Sequence, residues 1–395
     1  VIALLTAGLL LASTQAAAPA RQATPPASVP DPRLAAAVDR VAAEALAAGE
    51  VAGFAVAVVE NGRVRLARGY GFADLEQRTP VRADTVFRIG SVTKEFTAAA
   101  ILLLAERGRL SLDDRLVKYF PEFPRADEVT IRQLLNHTSG ISNYTAAAQF
   151  FPAVAPRDYT AADFVKVIAA ADPLYDFTPG TSWSYSNSGY FLLGGVIERV
   201  SGQSYSAFLE ANFFRPLGLR ATKPDDLAEI VPGRAEGYDK DPDRPGAFRN
   251  ASHLSMSVAA AAGAMRSTVG DLARWHEALL GGRVLKPESL ALMTAPGRLA
   301  DGRLASAARP PTPDGGPPSD YGLGIATSLR EGRRGIGHGG SINGFNSALQ
   351  TFPDARTTIV LLTNTGGGTV KLMPRLVRAA LGGAVPAVGA SATSR

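Results

Sequence analysis

The chain of 395 residues contains no cysteine. Disulfides, thiolate nucleophiles and thiolate metal ligands are therefore excluded. Histidine is nearly as scarce, with 4 residues in all: His137, His253, His276 and His338. None stands at a metal-ligand spacing, and no His-Glu-x-x-His occurs. No metal and no cofactor are expected. A Gly-x-Ser-x-Gly elbow is also missing, which counts against an α/β-hydrolase. Lys and Arg number 41 against 36 Asp and Glu. The net charge of +5 is scattered, with no basic block or aromatic-interleaved stripe, so no nucleic-acid partner is expected. No apolar run reaches the ~20 residues that span a bilayer, and no stable membrane span is expected. The apolar run from Val1 to Ala12, followed by Ser13-Thr-Gln-Ala16, reads as the core and cleavage zone of a secretory signal. Residues 1–20 are expected to be a partial signal peptide and 21–30 a disordered Pro/Ala-rich lead-in. The processed protein is then periplasmic or secreted, and a monomer.

What is present is an ordinary globular composition, 46% hydrophobic and 19% charged. Asp31-Pro32 opens a helix with an apolar stripe through Leu34, Val38, Val41, Ala45 and Leu46, closed by Gly49. Two strand patterns, Gly53 to Val59 and Arg63 to Ala67, flank Asn61-Gly62, the signature of a type I′ hairpin. Helices are expected at 92–107, 130–137, 160–171, 188–200, 204–214 and 268–280. Strand patterns return at 322–328, 334–337, 346–352 and 357–362, followed by a closing amphipathic helix through Leu372, Leu376 and Ala380. Strands from both ends must share one antiparallel sheet. The expected fold is α/β (α+β): a discontinuous sheet part at 31–89 and 321–385 with flanking helices, a large helical part inserted at 90–320, and a disordered tail at 386–395. The Pro/Gly/Ala-rich stretch from Ala300 to Asp320 reads as a surface excursion.

Three motifs carry chemistry. Ser91-Val-Thr-Lys94 places a hydroxyl and an amine on one face at the start of a helix. Tyr185-Ser-Asn187 adds a phenol and an amide, and His338-Gly-Gly340 a polar side chain before two glycines. A Ser-x-x-Lys arises by chance about once or twice in a chain of this size, but here Lys is the rarer cation and the three motifs stand in order. Together they supply a nucleophile, two candidate bases and groups to hold a carbonyl, which is what acyl transfer requires. A serine needs its proton removed. Lys94 starts near ~10.4 and Tyr185 near ~10, and the two form a coupled pair.

With Phe87-Arg-Ile-Gly-Ser-Val-Thr-Lys94, Leu134-Leu-Asn-His-Thr-Ser-Gly140, Thr178-Pro-Gly180 and His338-Gly-Gly-Ser341, the chain resembles the serine β-lactamase and penicillin-binding-protein superfamily from about Val51 to Leu381. The branch resembled includes class C β-lactamases, DD-peptidases, D-aminopeptidases and esterases. The resemblance implies Ser91 as nucleophile, Tyr185 as the base toward it, and Lys94 orienting the proton and lowering the tyrosine pKa. It implies an oxyanion hole from the N–H groups of Ser91 and Ser341. Asn187 is expected to donate its amide to a substrate carbonyl or to Lys94, or alternatively to cap the helix near Ser188. Gly339 and Gly340 are expected to let the substrate approach the strand edge, and His338 to contact it. Many relatives carry Lys at the position of His338. The difference leaves acyl transfer intact and disfavours efficient β-lactam hydrolysis. The expected partner is a small-molecule or peptide substrate (a peptide, ester or β-lactam), attacked by an exported serine hydrolase. A class C-like β-lactamase and a non-catalytic penicillin-recognising protein are the alternatives.

Overall fold

The computed structural model describes residues 31–309 and 319–382. The expected signal segment, the lead-in and the 386–395 tail lie outside the described residues. The helices are α1 (Pro32–Ala47), α2 (Thr93–Glu106), α3 (Ile131–Leu135), α4 (Ala161–Ala169), α5 (Asn187–Ser201), α6 (Tyr205–Leu209), α7 (Arg215–Leu217), α8 (Met256–Gly263), α9 (Val269–Leu280), α10 (Pro287–Thr294) and α11 (Thr369–Leu381). The strands are β1 (Gly53–Glu60), β2 (Arg63–Asp74), β3 (Thr79–Pro80), β4 (Phe87–Arg88), β5 (Lys223–Pro224), β6 (Tyr238–Lys240), β7 (Phe248–Asn250), β8 (Met265–Ser267), β9 (Asp320–Tyr321), β10 (Ala326–Arg330), β11 (Arg333–Ile342), β12 (Phe345–Phe352) and β13 (Thr357–Thr363).

The main sheet has 8 strands in the order β3-β2-β1-β13-β12-β11-β10-β9, so the two ends of the chain meet at β1 and β13. Every pair is antiparallel. The β1–β2 turn at Asn61 (φ 52°) and Gly62 (φ 72°) has both residues left-handed, as a type I′ hairpin requires. Alternate residues of β1 face opposite sides. Phe54, Val56 and Val58 pack with Val38 of α1 and Leu372 and Leu376 of α11. Ala55, Ala57 and Val59 face the larger core with Phe96, Leu272 and Trp275. Both faces are covered, so β1 is buried along almost its whole length. Each fully buried Val, Leu or Phe contributes about 1.5–3 kcal/mol.

Strand expectations change in several places, and the strand expected from Arg63 to Ala67 continues as β2 to Asp74. The strand expected at 322–328 starts only at Ala326, as β10; Gly322 to Ile325 separate it from β9, and Gly324 takes φ +75°. The strand expected to end at 337 continues as β11 to Ile342, because its ladder with β12 runs unbroken from Ile336↔Thr351 to Ile342↔Phe345. The whole His338-Gly-Gly-Ser341 motif therefore lies inside a strand. The expected helices are present, most with shorter ends, while α5 exceeds the expected 188–200 by one residue at each end. The 204–214 segment leaves α-helical geometry after Leu209 for a π turn, Glu210–Phe214. Helices α8 and α10 were not foreseen. No helix among the described residues is long and apolar enough to cross a membrane.

Candidate active site

A tight turn followed by a buried helix sets the first motif. Gly90 (φ +50°) opens a 3-10 turn, Gly90–Val92, that runs directly into α2. Thr93 locks the turn by donating its hydroxyl to the Gly90 carbonyl at 2.7 Å. Lys94 follows in the first turn of α2 and is wholly buried. Its Nζ lies 3.1 Å from Ser91 Oγ, 2.8 Å from Asn187 Oδ1 and 2.7 Å from the Ala262 carbonyl oxygen. Two of these neighbours can only accept. A neutral amine gives its two N–H groups to them and keeps its lone pair for the Ser91 hydroxyl. Burial pushes the Lys94 pKa well below its ordinary value, in the direction of that neutral form.

The second motif completes the cage. Ser186, not Asn187, caps α5, accepting from Gly189 N at 3.3 Å. The expected direction at Asn187 is also reversed, since its amide oxygen accepts from Lys94. Its Nδ2 donates instead to Asn143 Oδ1 and Thr145 Oγ1, each at 3.2 Å. The Tyr185 ring centroid sits 4.8 Å from Lys94 Nζ. Burial raises the Tyr185 pKa above its ordinary value, with the Ser91 side chain pulling weakly the other way. Of the two pKa directions only that of Tyr185 runs against expectation: the free site favours a neutral phenol and a neutral amine, because desolvation penalises both charges and no carboxylate adjoins either.

His137 comes into the site as a wedge. It is buried in the left-handed region (φ +63°), and its Nδ1 accepts from Ser186 N at 3.2 Å. Its ring packs 4.4 Å from Tyr185, 5.2 Å from Tyr190 and 4.7 Å from Tyr321, centroid to centroid. Burial, helped by Lys94, His338 and Arg309, drives its pKa well down. A neutral ring holding the Tyr185–Asn187 segment in place is the result.

The third motif lies along β11. Ser347 Oγ of β12 donates to the Ile89 carbonyl at 2.7 Å, tying the sheet to the serine turn. A Cβ on Gly340 would fall 2.0 Å from that carbonyl oxygen, and one on Gly90 2.9 Å from Ser341 N. Both glycines let β11 and the turn touch, which sets the Ser341 amide beside Ser91. Gly340 is thus bare for the protein's own packing rather than for the substrate. Gly339, exposed, has only the Ser347 carbonyl at 3.6 Å. His338 Nε2 is 2.9 Å from the Tyr321 hydroxyl. Its pKa is pulled down to about 4, chiefly by burial with Lys94 and Arg309 adding, against the Gly339 carbonyl. At neutral pH it carries no charge to offer a carboxylate.

Four contributors have no clear sequence signal: Ala260, Asn143, Thr145 and Tyr321. Ala260, at φ +35° and ψ −131°, breaks the geometry of α8, a conformation that costs a non-glycine residue about 1–3 kcal/mol. The break frees the Ala261 and Ala262 carbonyls for Thr97 (2.7 Å) and Lys94. Asn143 and Thr145 hold Asn187, and Tyr321 holds His338. Main-chain ligands and loop residues leave no spacing pattern, although an Asp-Tyr-Gly turn ahead of a strand marks Tyr321 weakly. Among the described residues, no group of three or more His, Asp or Glu converges on a metal site.

Ser91, Asn187 and Ser341 open on a cavity of about 720 Å³. One wall is apolar, with Phe150, Phe151, Leu254, Val258 and Ile342, and Asp239, His253 and Asn343 are also in its lining. Tyr185 and His338 do not line it.

A buried amine poised on a helix-start serine, beside strand β11 of an antiparallel sheet, is the layout of a serine hydrolase. The chain belongs to the Beta-lactamase family, whose model matches residues 38–382. It is 28% identical over 320 residues to Penicillin-binding protein 4* of Bacillus subtilis, covering 78% of this chain and 67% of that protein. It is 33% identical over 207 residues to Protein flp of Staphylococcus aureus, covering 51% of this chain but only 41% of that protein. A D-stereospecific amidohydrolase from Streptomyces sp. is similar in structure, with TM-score 0.73 and 32% identity over 88% of this chain and 98% of that one.

Proposed function

We propose that the protein is an exported serine hydrolase that forms an acyl-enzyme on Ser91 with amide or ester substrates, in the manner of DD-peptidases, D-aminopeptidases and esterases. The observation that carries this reading is the Lys94 amine, buried and held by two acceptor-only neighbours with its third position on Ser91 Oγ. Lys94 takes the serine proton as Oγ attacks the substrate carbonyl carbon. The developing oxyanion is met by the N–H groups of Ser91 and Ser341. Tyr185, a neutral phenol beside both groups, gives its proton to the leaving nitrogen or oxygen and is reprotonated from the Lys94 ammonium. Water then enters, Lys94 accepts its proton, and the ester to Ser91 breaks with the proton returned to Oγ. Asn187 fixes the amine rather than the substrate. The apolar character of residues 1–12 supports export.

Intact-mass analysis of wild type and Ser91→Ala tests the reading, using a penicillin, a D-Ala-D-Ala peptide and a short p-nitrophenyl ester. A transient acyl adduct on wild type, absent from Ser91→Ala, is expected with the peptide or the ester. Rapid turnover of penicillin alone would make the protein a β-lactamase. A penicillin adduct that never turns over, with no reaction elsewhere, would make it a receptor. An adduct persisting in Ser91→Ala would remove Ser91 as the nucleophile.

A further inference from the structure

We propose that Asp239 is a specificity residue that binds an ammonium group on the acyl part of the substrate, next to a bulky apolar group. The inference rests on the acyl-enzyme reading above and adds a substrate class to it: aminoacyl compounds with a free amine and an apolar side chain.

The cavity beside Ser91 is lined by one carboxylate, Asp239. This side chain sits on β6, whose backbone is tied to the segment after β13: Tyr238 N donates to the Asn364 carbonyl at 3.1 Å and Gly366 N to the Tyr238 carbonyl at 3.0 Å. Asp239 Oδ1 lies over Gly366, so close that a Cβ there would fall 2.7 Å away. The carboxylate is therefore carried into the cavity on a fixed strand, over a glycine that leaves room for it. Its register partner across β6–β7 is Arg249, yet no ion pair joins them. Among the described residues Asp239 has no side-chain hydrogen-bond partner, whereas other carboxylates nearby do: Glu76 takes Tyr238 and Asn250, and Asp225 takes Arg88, Arg234 and Arg266. A half-buried carboxylate left unpaired in a cleft with an apolar wall is suited to a cationic ligand group.

The side of the scissile bond follows from the proton path. Tyr185 protonates the leaving group, and its ring is near His338, with centroids 6.3 Å apart. Neither residue is in the cavity lining, and on this proposal the leaving group departs on their side and the acyl part occupies the cavity. There Phe150, Phe151 and Leu254 meet an apolar substituent, and Asp239 meets the amine. Phe151 is 58% exposed without a ligand, an apolar surface that a bound substituent would cover.

The test compares wild type and Asp239→Asn on four p-nitroanilides: D-phenylalanine, its N-acetyl derivative, 3-phenylpropanoate, and Nα-acetyl-D-lysine. Asp239→Asn should lower kcat/KM for an amine-bearing substrate by about 10- to 100-fold, the weight of one charge-assisted contact. The two uncharged substrates should stay within about twofold. A response confined to the phenylalanine amine assigns an α-ammonium; one confined to the lysine assigns a distal ammonium. An equal loss on all four, or no loss on any, overturns the proposal. Binding to Ser91→Ala gives a readout that needs no chemistry. D-phenylalanine amide should bind more tightly than 3-phenylpropanamide, and adding Asp239→Asn should erase the difference. Erasure there, with no acyl-enzyme on wild type, would uphold Asp239 while refuting the acyl-enzyme reading. An undiminished preference would refute the role of Asp239 alone.

Discussion

Replacing Gly340 by alanine places a methyl group where the structure has no room. The added Cβ falls 2.0 Å from the Ile89 carbonyl oxygen and 2.4 Å from Ser347 Oγ, against 3.4–4 Å for ordinary contact. Those two atoms are themselves joined by the hydrogen bond that ties β12 to the serine turn. Relief requires β11 and the turn to part by on the order of 1 Å, and a misplacement of that size costs catalytic geometry about 100-fold. The donor displaced is the Ser341 amide, and loss of one oxyanion donor costs about 10²–10³ in kcat, or ~2.7–4 kcal/mol. Overpacking should cost about 1–3 kcal/mol of stability, which leaves a protein of this size folded at 25 °C. Gly339→Ala is the matched control, because its Cβ meets nothing nearer than the Ser347 carbonyl at 3.6 Å. Steady-state kinetics on a p-nitrophenyl ester, with circular dichroism and thermal melts alongside, should show a folded Gly340→Ala protein with kcat down 100-fold or more. Gly339→Ala should stay far nearer wild type. A Gly340→Ala enzyme within threefold of wild type would refute the placement of Ser341 as an oxyanion donor.

His338, held near pKa 4, should be neutral throughout the neutral range. Profiles of kcat/KM for an anionic and a neutral ester should run parallel between pH 6 and 8, and His338→Gln should not change their shape. A selective gain for the anionic ester as pH falls would show instead that a charged His338 binds the substrate carboxylate. A second prediction concerns the fully buried pair Glu95 and His276, whose Oε1 and Nε2 lie 3.8 Å apart with no other partner. Burial raises Glu95 to about 8, against the donor Trp275 Nε1, and lowers His276 to about 3. Above its ordinary value of 4.5, Glu95 keeps a proton in the fold that the unfolded chain releases, so its contribution falls as pH rises to about 8. Below 6.5 the unfolded chain protonates His276 and the fold does not, so that contribution falls as pH drops to about 3. The two cancel between about 4.5 and 6.5, and each outer flank loses roughly 2 kcal/mol. Urea unfolding should therefore show Glu95→Gln lacking the loss between pH 6.5 and 8 that wild type shows. Identical pH dependence in the two proteins would mean that Glu95 is not protonated in the fold.

The Ser91, Tyr185 and His338 motifs were legible because each is short and local in sequence, and the meeting of both chain ends in one sheet followed from Asn61-Gly62 and the late run of strands. Proton roles were not legible. Residue types give Lys94 and Tyr185 similar starting pKa values, and only their burial without a carboxylate sets the direction. The Ala262 carbonyl was beyond sequence reading, since a backbone atom has no signature and its exposure depends on the strained Ala260. The two glycines of His338-Gly-Gly340 look alike on paper, yet one faces Ile89 and the other open space. Helix α8 was missed because Ser255-Met-Ser-Val followed by alanines has no amphipathic period: it is buried nearly all round. Pro287-Glu, by contrast, is a readable start that was passed over for α10.

The bond from Ser347 to Ile89 links residues 258 positions apart, and on the proposed mechanism it bears on when the protein becomes active as well as how. The first half of the chain carries Ser91, Lys94, Tyr185 and Asn187, but β11, with the proposed second oxyanion donor Ser341, belongs to the closing quarter. On the proposed mechanism, a chain still being made would hold its nucleophile with no place to stabilise the charge it creates. If Ser91 and Ser341 act as proposed, competence would arrive late, as one event with closure of the sheet, and a partly built or partly unravelled molecule would be chemically quiet toward whatever surrounds it.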